Sequence, residues 1–202
     1  MSICDIEKEC AAADGIVFDF GGVISVSPKT DDWPVYAYCA ELGIGRAAVD
    51  SGWARYRNLW DGGIISFADY YGRTFADAGH AVTPAQLERL WELDAVAWVR
   101  TLRTDTLDLM RRLKASGKKL GVLSNMSPDF YERLYVPRCA EYRVLLDAEV
   151  ISGLHKLHKP EEAIYRLAEQ EMGLPPGRLL FLDDTEANVA AARSFGWRAE
   201  IY

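Results

Sequence analysis

The stretch Gly15-Ile16-Val17-Phe18-Asp19-Phe20-Gly21-Gly22-Val23-Ile24 decides the predicted fold. Its apolar run from Ile16 to Phe18 has no polar face, which is typical of a strand buried on both sides of a parallel sheet. Asp19 follows this run directly, so we expect its carboxylate at the carboxyl edge of the sheet, where open α/β folds bind ligands. The pair Gly21-Gly22 lets the backbone turn sharply and approach a ligand closely. The same residues could instead form a simple aspartate turn that caps the strand.

The composition is that of a soluble globular protein. The 202 residues are 50% hydrophobic and 26% charged, which suits one well-packed domain or a domain with a sizeable insert. The net charge of −7 argues against a nucleic-acid partner, because polyanion binding relies on clustered Lys and Arg. No apolar run reaches the roughly 18 residues of a membrane span, and the acidic N-terminus does not resemble a signal peptide. We therefore expect no membrane partner.

The cysteines indicate the cellular compartment. Four are scattered along the chain without C-x-x-C spacing, which favours reduced thiols in a cytoplasmic protein. They are Cys4, Cys10, Cys39 and Cys139.

Residues 33–99 have a helical pattern throughout and hold five of the six tryptophans, after a predicted loop at Ser25–Asp32. Aromatic residues recur at helical spacing up to the run Asp61-Gly62-Gly63, which ends one predicted helix. Thr83-Pro84-Ala85-Gln86 is a capping box with proline at the first helical position of the next. We predict a helical bundle, or cap, at 29–99, inserted into a core made of residues 1–28 and 100–202.

Helices and apolar runs alternate through the rest of the chain, which predicts an α/β fold with a mainly parallel sheet and right-handed crossovers. The predicted strands are Leu120–Asn125, Tyr142–Leu146, Leu179–Asp184 and Trp197–Tyr202. The predicted helices are capped or opened by Thr104, Ser127, Pro160 and Thr185.

Polar residues end three of these strands: Asp19, the pair Ser124-Asn125 and the pair Asp183-Asp184. In a parallel sheet the three ends lie on one edge. Carboxylates gathered there repel one another and require a cation or a proton. Asp19 and Asp184, with a main-chain carbonyl, are the hard oxygen ligands that suit Mg²⁺. No His/Cys cluster has the ligand spacing of a soft-metal site.

Four motifs, in order along the chain, resemble those of the haloacid dehalogenase-like (HAD) hydrolase superfamily, in its branch with a helical cap after the first motif. They are Phe18-Asp19-Phe20-Gly21-Gly22-Val23, then Leu123-Ser124-Asn125, then Lys159-Pro160 followed by Ile164-Tyr165, and Phe181-Leu182-Asp183-Asp184 with Asn188. The resemblance implies a Rossmann-like, three-layer core around the parallel sheet, with the helical bundle as its cap.

The resemblance also implies a nucleophile and a metal site. Asp19 would attack phosphorus and form an aspartyl-phosphate that water later hydrolyses. Asp19 and the main-chain carbonyl of Gly21 would bind Mg²⁺. Asp184 would be the remaining direct ligand, Asp183 would act through water, and Asn188 would orient the pair.

The other motif residues would bind the phosphoryl group. By the same resemblance, Ser124 and the main-chain amide of Asn125 would donate hydrogen bonds to phosphoryl oxygens, and Gly22 would lie against the substrate. Lys159 would neutralise charge on the phosphate and the nucleophile. From the residues alone, Ser124 could equally cap a helix, Lys159 could be a surface lysine, and Asp183 could be a helix N-cap.

One position departs from the family pattern. Phosphatases of this superfamily usually carry a second aspartate two residues after the nucleophile as general acid and base, and this chain has Gly21 there. General acid-base catalysis contributes about two to four decades in rate. Because the second aspartate is missing, the proton for the leaving group must come from water, the substrate or the cap. The departure favours anomeric sugar phosphates or acyl and aryl phosphates as substrates.

A few further residues are candidates to line the site. His158 adjoins Lys159, while Arg55 and Arg57 lie off the aromatic stripe of their helix and could reach a substrate. The turn Asp61-Gly62-Gly63 could be a specificity loop or only a tight turn.

The leading prediction is a Mg²⁺-dependent phosphatase of a small phosphorylated metabolite, acting as a monomer or homodimer. Two alternatives stay open. In a 2-haloacid dehalogenase the same aspartate attacks carbon and no metal is needed, although the paired acids Asp183-Asp184 favour a metal. A catalytically silent homologue would bind a ligand or partner, and Gly21 is the feature that supports it.

Overall fold

The computed structural model describes residues 3–202, apart from the side chains at positions 3–5 and 7. Its centre is a five-stranded sheet in the order β3-β2-β1-β4-β5, and every neighbouring pair is parallel. The strands are β1 (Gly15–Phe18), β2 (Lys119–Ser124), β3 (Ala148–Ile151), β4 (Leu179–Asp183) and β5 (Arg198–Ile201). The predicted parallel α/β fold is confirmed.

Helices cover the chain before β1 and between β1 and β2. They are α1 (Ile3–Ala12), α2 (Pro34–Glu41), α3 (Arg46–Asp61), α4 (Phe67–Asp77), α5 (Pro84–Leu93), a 3₁₀ turn at Val96–Val99, and α6 (Thr104–Ala115). The predicted capping box at Thr83 opens α5, and a second one at Ser66 opens α4. Gly62 and Gly63 end α3, with Gly63 at a positive φ of 66°.

The segment that contains α2 to α5 is held together by aromatic rings. Trp60 packs against Phe67 and Trp91 edge to face and stacks on Tyr70. These rings bury large apolar areas, so the predicted aromatic stripes serve mainly as core. The division of the chain into core and cap at residues 29 and 99 stays a prediction.

Helices follow the later strands as well. They are α7 (Pro128–Phe130), continued by a π-helical turn at Tyr131–Tyr135 and by α8 (Val136–Arg138), then α9 (Ala140–Arg143), α10 (Ser152–His155), α11 (Glu162–Met172) and α12 (Glu186–Ser194). A three-layer arrangement results, because apolar side chains pack on both faces of the sheet. On β1, Val17 belongs to the cluster that contains Leu123 and Phe181, whereas Phe18 belongs to the opposite cluster.

The predicted strand at Tyr142–Leu146 is wrong. Residues 140–143 form α9, and the strand begins at Ala148, which pairs with Gly121. Tertiary contacts decide this. Tyr142 is buried and its hydroxyl donates to the main-chain oxygen of Arg103 at 2.9 Å, while the Asp147 carboxylate accepts the main-chain N–H of Leu120 at 2.8 Å.

Two predicted helix starts are displaced. Arg103 is the N-cap of α6, so Thr104 is its first residue rather than its cap. Pro160 lies outside α11, whose N-cap is Glu161. The physical reason is a turn: the main-chain N–H of Glu161 donates to the carbonyl of His158 at 2.7 Å, which keeps Pro160 in a loop.

The compositional predictions have partial outcomes. Cys10, Cys39 and Cys139 are buried thiols outside any disulfide, while the thiol of Cys4 lies outside the described side chains. Among residues 3–202, no helix has the length and apolar character needed to cross a bilayer.

Candidate active site

The strand order brings the motif residues together. β1 lies between β2 and β4, so the residues that end these three strands share one edge of the sheet. Asp19, Asp183 and Asp184 each place a carboxylate oxygen within 4.8 Å of the others. The predicted convergence of Asp19 with the Asp183-Asp184 pair is therefore present, although these residues are more than 160 positions apart in sequence.

Lys159 supplies a positive charge to this acidic cluster. Its Nζ atom lies 2.9 Å from Oδ1 of Asp19 and 2.6 Å from Oδ2 of Asp183, and the residue is 2% exposed. Burial lowers the pKa of Lys159, but the two carboxylates outweigh burial and raise it above its ordinary value. Lys159 is thus a buried ammonium, and the alternative of a surface lysine is excluded.

Asp19 has an environment that depends on this ammonium. Burial raises the pKa of its carboxyl group, while Lys159 and a hydrogen bond from Ser124 oppose the rise. The main-chain N–H of Phe20 also donates to Oδ1 of Asp19 at 2.7 Å. The ammonium of Lys159 and the N–H of Phe20 thus both contact Oδ1 and orient it.

Asp183 is surrounded by donors. The Asn188 Nδ2 atom lies 3.1 Å from Oδ1 and 3.0 Å from Oδ2 of Asp183, and the main-chain N–H of Thr185 donates to Oδ1 at 2.8 Å. With Lys159 on the other oxygen, this carboxylate is held in place. Asn188 therefore contacts Asp183, and its predicted role of orienting the pair Asp183-Asp184 stays a prediction.

Asp184 lies directly against Gly22. A Cβ atom on Gly22 would approach Oδ2 of Asp184 to 2.1 Å, and Gly22 has a positive φ of 76°. Both features require glycine at position 22. A side chain at position 22 would therefore displace the carboxylate of Asp184. The predicted contact of Gly22 with substrate remains a prediction.

The side chain of Asn125 fixes the loop that carries Lys159. Its Nδ2 donates to the main-chain oxygen of Lys159 at 3.1 Å, and its Oδ1 accepts the main-chain N–H of Lys159 at 2.8 Å. This side-chain role is additional to the main-chain role predicted for Asn125. It joins the end of β2 to the lysine loop.

A cavity of about 320 Å³ extends from the acidic cluster to the helical segment. The residues that line it include Asp19, Ser124 and Asp184 from the sheet edge, and Trp53, Arg57, Asp61 and Trp98 from the helical segment. Arg57 is buried, with Nε 2.9 and 3.0 Å from the carboxylate oxygens of Asp61 and Nη1 3.4 Å from Asp94.

A family model of haloacid dehalogenase-like hydrolases matches residues 13–196. The chain belongs to this family. The match contains the four motifs and the helical segment between the first two. Membership of the superfamily, which the motifs predicted, is confirmed, and the branch with a helical cap stays a prediction.

Two curated relatives match parts of the chain. An (S)-2-haloacid dehalogenase from Pseudomonas putida is 34% identical over 93 residues, 46% of this chain and 40% of the relative. A GMP/IMP nucleotidase from Escherichia coli is 35% identical over 101 residues, 48% of this chain and 43% of the relative. The chain spans less than half the length of these two curated relatives.

A solved structure shares the fold. A HAD family enzyme from Bacteroides thetaiotaomicron, in complex with magnesium and inorganic phosphate, superposes with a TM-score of 0.69 at 19% identity. The superposition covers 94% of this chain and 93% of that chain.

The further candidates from the sequence divide into two groups. Arg57 and Asp61 line the cavity. Arg55 instead pairs with Asp77 at the surface, and the half-buried His158 is not among the lining residues. Sequence reasoning missed Trp98, whose ring lies over Gly21 such that a Cβ there would be 2.8 Å from Cζ3. No local pattern signals this contact.

Proposed function

We propose that this member of the haloacid dehalogenase-like hydrolase family is a Mg²⁺-dependent phosphatase that acts on a small phosphorylated metabolite through an aspartyl-phosphate. The observation that carries the proposal is the balance of charge in the cluster. Three carboxylates, those of Asp19, Asp183 and Asp184, lie together, and the ammonium of Lys159 pairs with two of them. Such a site retains net negative charge and favours a cation.

The donor set fits Mg²⁺ in particular. Carboxylate oxygens are hard ligands, and Mg²⁺ binds through one or two carboxylates while it keeps several waters. Asp19 and Asp184 would bind it directly, with the main-chain carbonyl of Gly21, and Asp183 would act through water. Bound there, Mg²⁺ would neutralise charge on the phosphoryl oxygens.

The protein's own residues would carry out the transfer. An Oδ atom of Asp19 attacks phosphorus, and the bond from phosphorus to the leaving oxygen breaks. Ser124 and the main-chain amide of Asn125 donate to phosphoryl oxygens, and the ammonium of Lys159 offsets the negative charge that gathers on them. The cavity then limits which leaving groups fit above Asp19.

The known proteins similar to this chain represent two chemistries, phosphoryl transfer and dehalogenation. The nucleotidase from Escherichia coli and the magnesium and phosphate complex from Bacteroides thetaiotaomicron favour phosphoryl transfer. The dehalogenase from Pseudomonas putida is the basis of the second candidate, in which Asp19 would attack carbon and release halide. The paired acids that end β4 favour the phosphatase, because displacement at carbon needs no cation.

The test is release of phosphate across a panel of phosphorylated metabolites, with Mg²⁺ and with EDTA, and of chloride from (S)-2-chloropropionate. We expect Mg²⁺-dependent phosphate release that is lost in Asp19→Asn and kept in Asp108→Asn, a matched change at an exposed ion pair. Metal-independent chloride release would identify a dehalogenase. Mg²⁺ binding without release of either product would identify a silent homologue.

A further inference from the structure

Trp98 occupies the space in which a side chain at position 21 would lie. A Cβ atom on Gly21 would be 2.8 Å from Cζ3 of Trp98, closer than van der Waals contact allows. The indole also lines the cavity beside the predicted nucleophile. Position 21 therefore has no acidic side chain, and the ring of Trp98 leaves no room for one. A general acid has to come from another element.

Three acids line the cavity: Asp19, Asp184 and Asp61. Asp19 is the proposed nucleophile, and Asp19 and Asp184 are the proposed metal ligands. Asp61 has no role in the proposed transfer step. Asp61 is 7% exposed and ends α3, where the negative end of the helix dipole favours a protonated carboxyl group. It is the lining acid that belongs to the helical segment.

The backbone of Asp61 is attached to the edge of the sheet. The Ser152 hydroxyl donates to the main-chain oxygen of Asp61 at 2.7 Å, and the same hydroxyl accepts the main-chain N–H of Met126 at 2.9 Å. Met126 follows Asn125, whose main-chain amide is predicted to bind the phosphoryl group. Asp61 is thus positioned beside the phosphoryl-binding loop although it lies on a different element.

The charges around Asp61 allow it to hold a proton. The Arg57 guanidinium is shared by two buried carboxylates, those of Asp61 and Asp94, and one cation cannot compensate both. Burial raises the pKa of Asp61 to about 6, Arg57 opposes the rise, and Asp94 and Asp129 add to it. Tyr70, which also faces this cluster, is neutral because burial raises its pKa.

We propose, on the basis of the proposed phosphatase function, that Asp61 is the general acid and base of this enzyme in place of the aspartate missing at Gly21. As Asp19 attacks phosphorus, the Asp61 carboxyl proton moves to the leaving oxygen, so that the alcohol leaves and Asp61 becomes a carboxylate. Asp61 then takes a proton from the water that attacks the aspartyl-phosphate. Phosphate is released, and both acids return to their starting states.

The assignment predicts that leaving groups differ in their need for Asp61. An alkoxide leaves poorly without a proton, whereas 4-nitrophenolate leaves readily. In Asp61→Asn we expect kcat/KM to fall by about 10²- to 10³-fold for glycerol phosphate and by less than about tenfold for 4-nitrophenyl phosphate. Asp77→Asn is the control, since Asp77 belongs to the same helical segment but pairs with Arg55 at the surface and is not among the lining residues. It should change both substrates by the same factor.

A measurement on the wild type makes the test independent of whether the variants fold. The ratio of kcat/KM for glycerol phosphate to that for 4-nitrophenyl phosphate should fall as pH rises above about 6, because the protonated fraction of Asp61 falls. A ratio that does not change with pH, or an equal loss on both substrates in Asp61→Asn, would overturn the assignment alone. Failure of the wild type to hydrolyse either ester would overturn the proposed function together with it.

Discussion

The Nζ atom of Lys159 lies 2.6 Å from Oδ2 of Asp183, and neither side chain is more than 1% exposed. The same ammonium lies 2.9 Å from Asp19. A buried ion that loses its partner keeps its desolvation cost without the compensating attraction. Lys159 is therefore expected to stabilise the fold as well as to assist the reaction.

Replacement of Lys159 by methionine tests this double role. The variant leaves Asp19 and Asp183 buried without their ammonium, so we expect a loss of about 3–5 kcal/mol in the free energy of unfolding, measured in urea with EDTA. Added Mg²⁺ should restore part of the loss, because it supplies positive charge to the same carboxylates. The control is Lys156→Met at an exposed position. Equal stability of Lys159→Met and wild type would contradict a structural role for the ion pair.

Gly22 and Gly79 form a matched pair for the acidic cluster. Both have a positive φ, 76° and 79°, but a Cβ on Gly22 meets Asp184 at 2.1 Å whereas one on Gly79 meets nothing within 4 Å. Gly79→Ala should cost about 1 kcal/mol of stability from backbone strain alone. Gly22→Ala should cost more and should also weaken Mg²⁺ binding at least tenfold by calorimetry. The same Mg²⁺ affinity in both variants would show that Asp184 does not bind the metal.

The contact between Gly21 and Trp98 predicts an energetic coupling. Gly21 has no positive φ, so Gly21→Ala should destabilise the protein through its clash with Trp98, by about 1–3 kcal/mol. In a Trp98→Ala background the same change should cost little, which a double-mutant cycle of unfolding measures. Additive effects would mean that the ring moves aside freely. A triple variant extends this test. If the ring of Trp98 is what excludes an acid at position 21, adding Gly21→Asp and Trp98→Ala to the Asp61→Asn variant should restore hydrolysis of glycerol phosphate.

The raised pKa of Asp61 predicts a pH dependence of stability. Burial raises this pKa from 3.8 to about 6, so the folded chain binds the proton more tightly than the unfolded chain. Stability from this group is therefore greatest below pH 4, falls as pH rises to about 6 and is level above. The wild type should lose up to about 3 kcal/mol relative to Asp61→Asn between pH 4 and pH 7. If the wild type instead gained stability relative to Asp61→Asn as pH rises, the ion pair of Asp61 with Arg57 would outweigh burial.

Local sequence patterns were sufficient to predict most of the sheet and its acidic edge. β1, β2 and β4 are apolar runs that end in polar residues, and the ends of parallel strands meet at one edge whatever lies between them. The segment around Tyr142 shows the limit of this reasoning. Its apolar and aromatic residues suit a strand or a buried helix equally, and the contact of Tyr142 with Arg103, 39 positions away, decides for the helix.

The sequence by itself determined the family, the parallel sheet and the grouping of Asp19, Ser124, Lys159 and Asp184, because each depends on short sequence motifs that occur in a fixed order. Tertiary structure alone placed Trp98 over Gly21 and Asp61 in the cavity beside Arg57. These relationships join residues from separate helices and strands, and side-chain packing between such elements leaves no periodic signal in the chain. The missing aspartate is visible in the sequence, whereas the acid proposed to replace it became visible only in the folded protein.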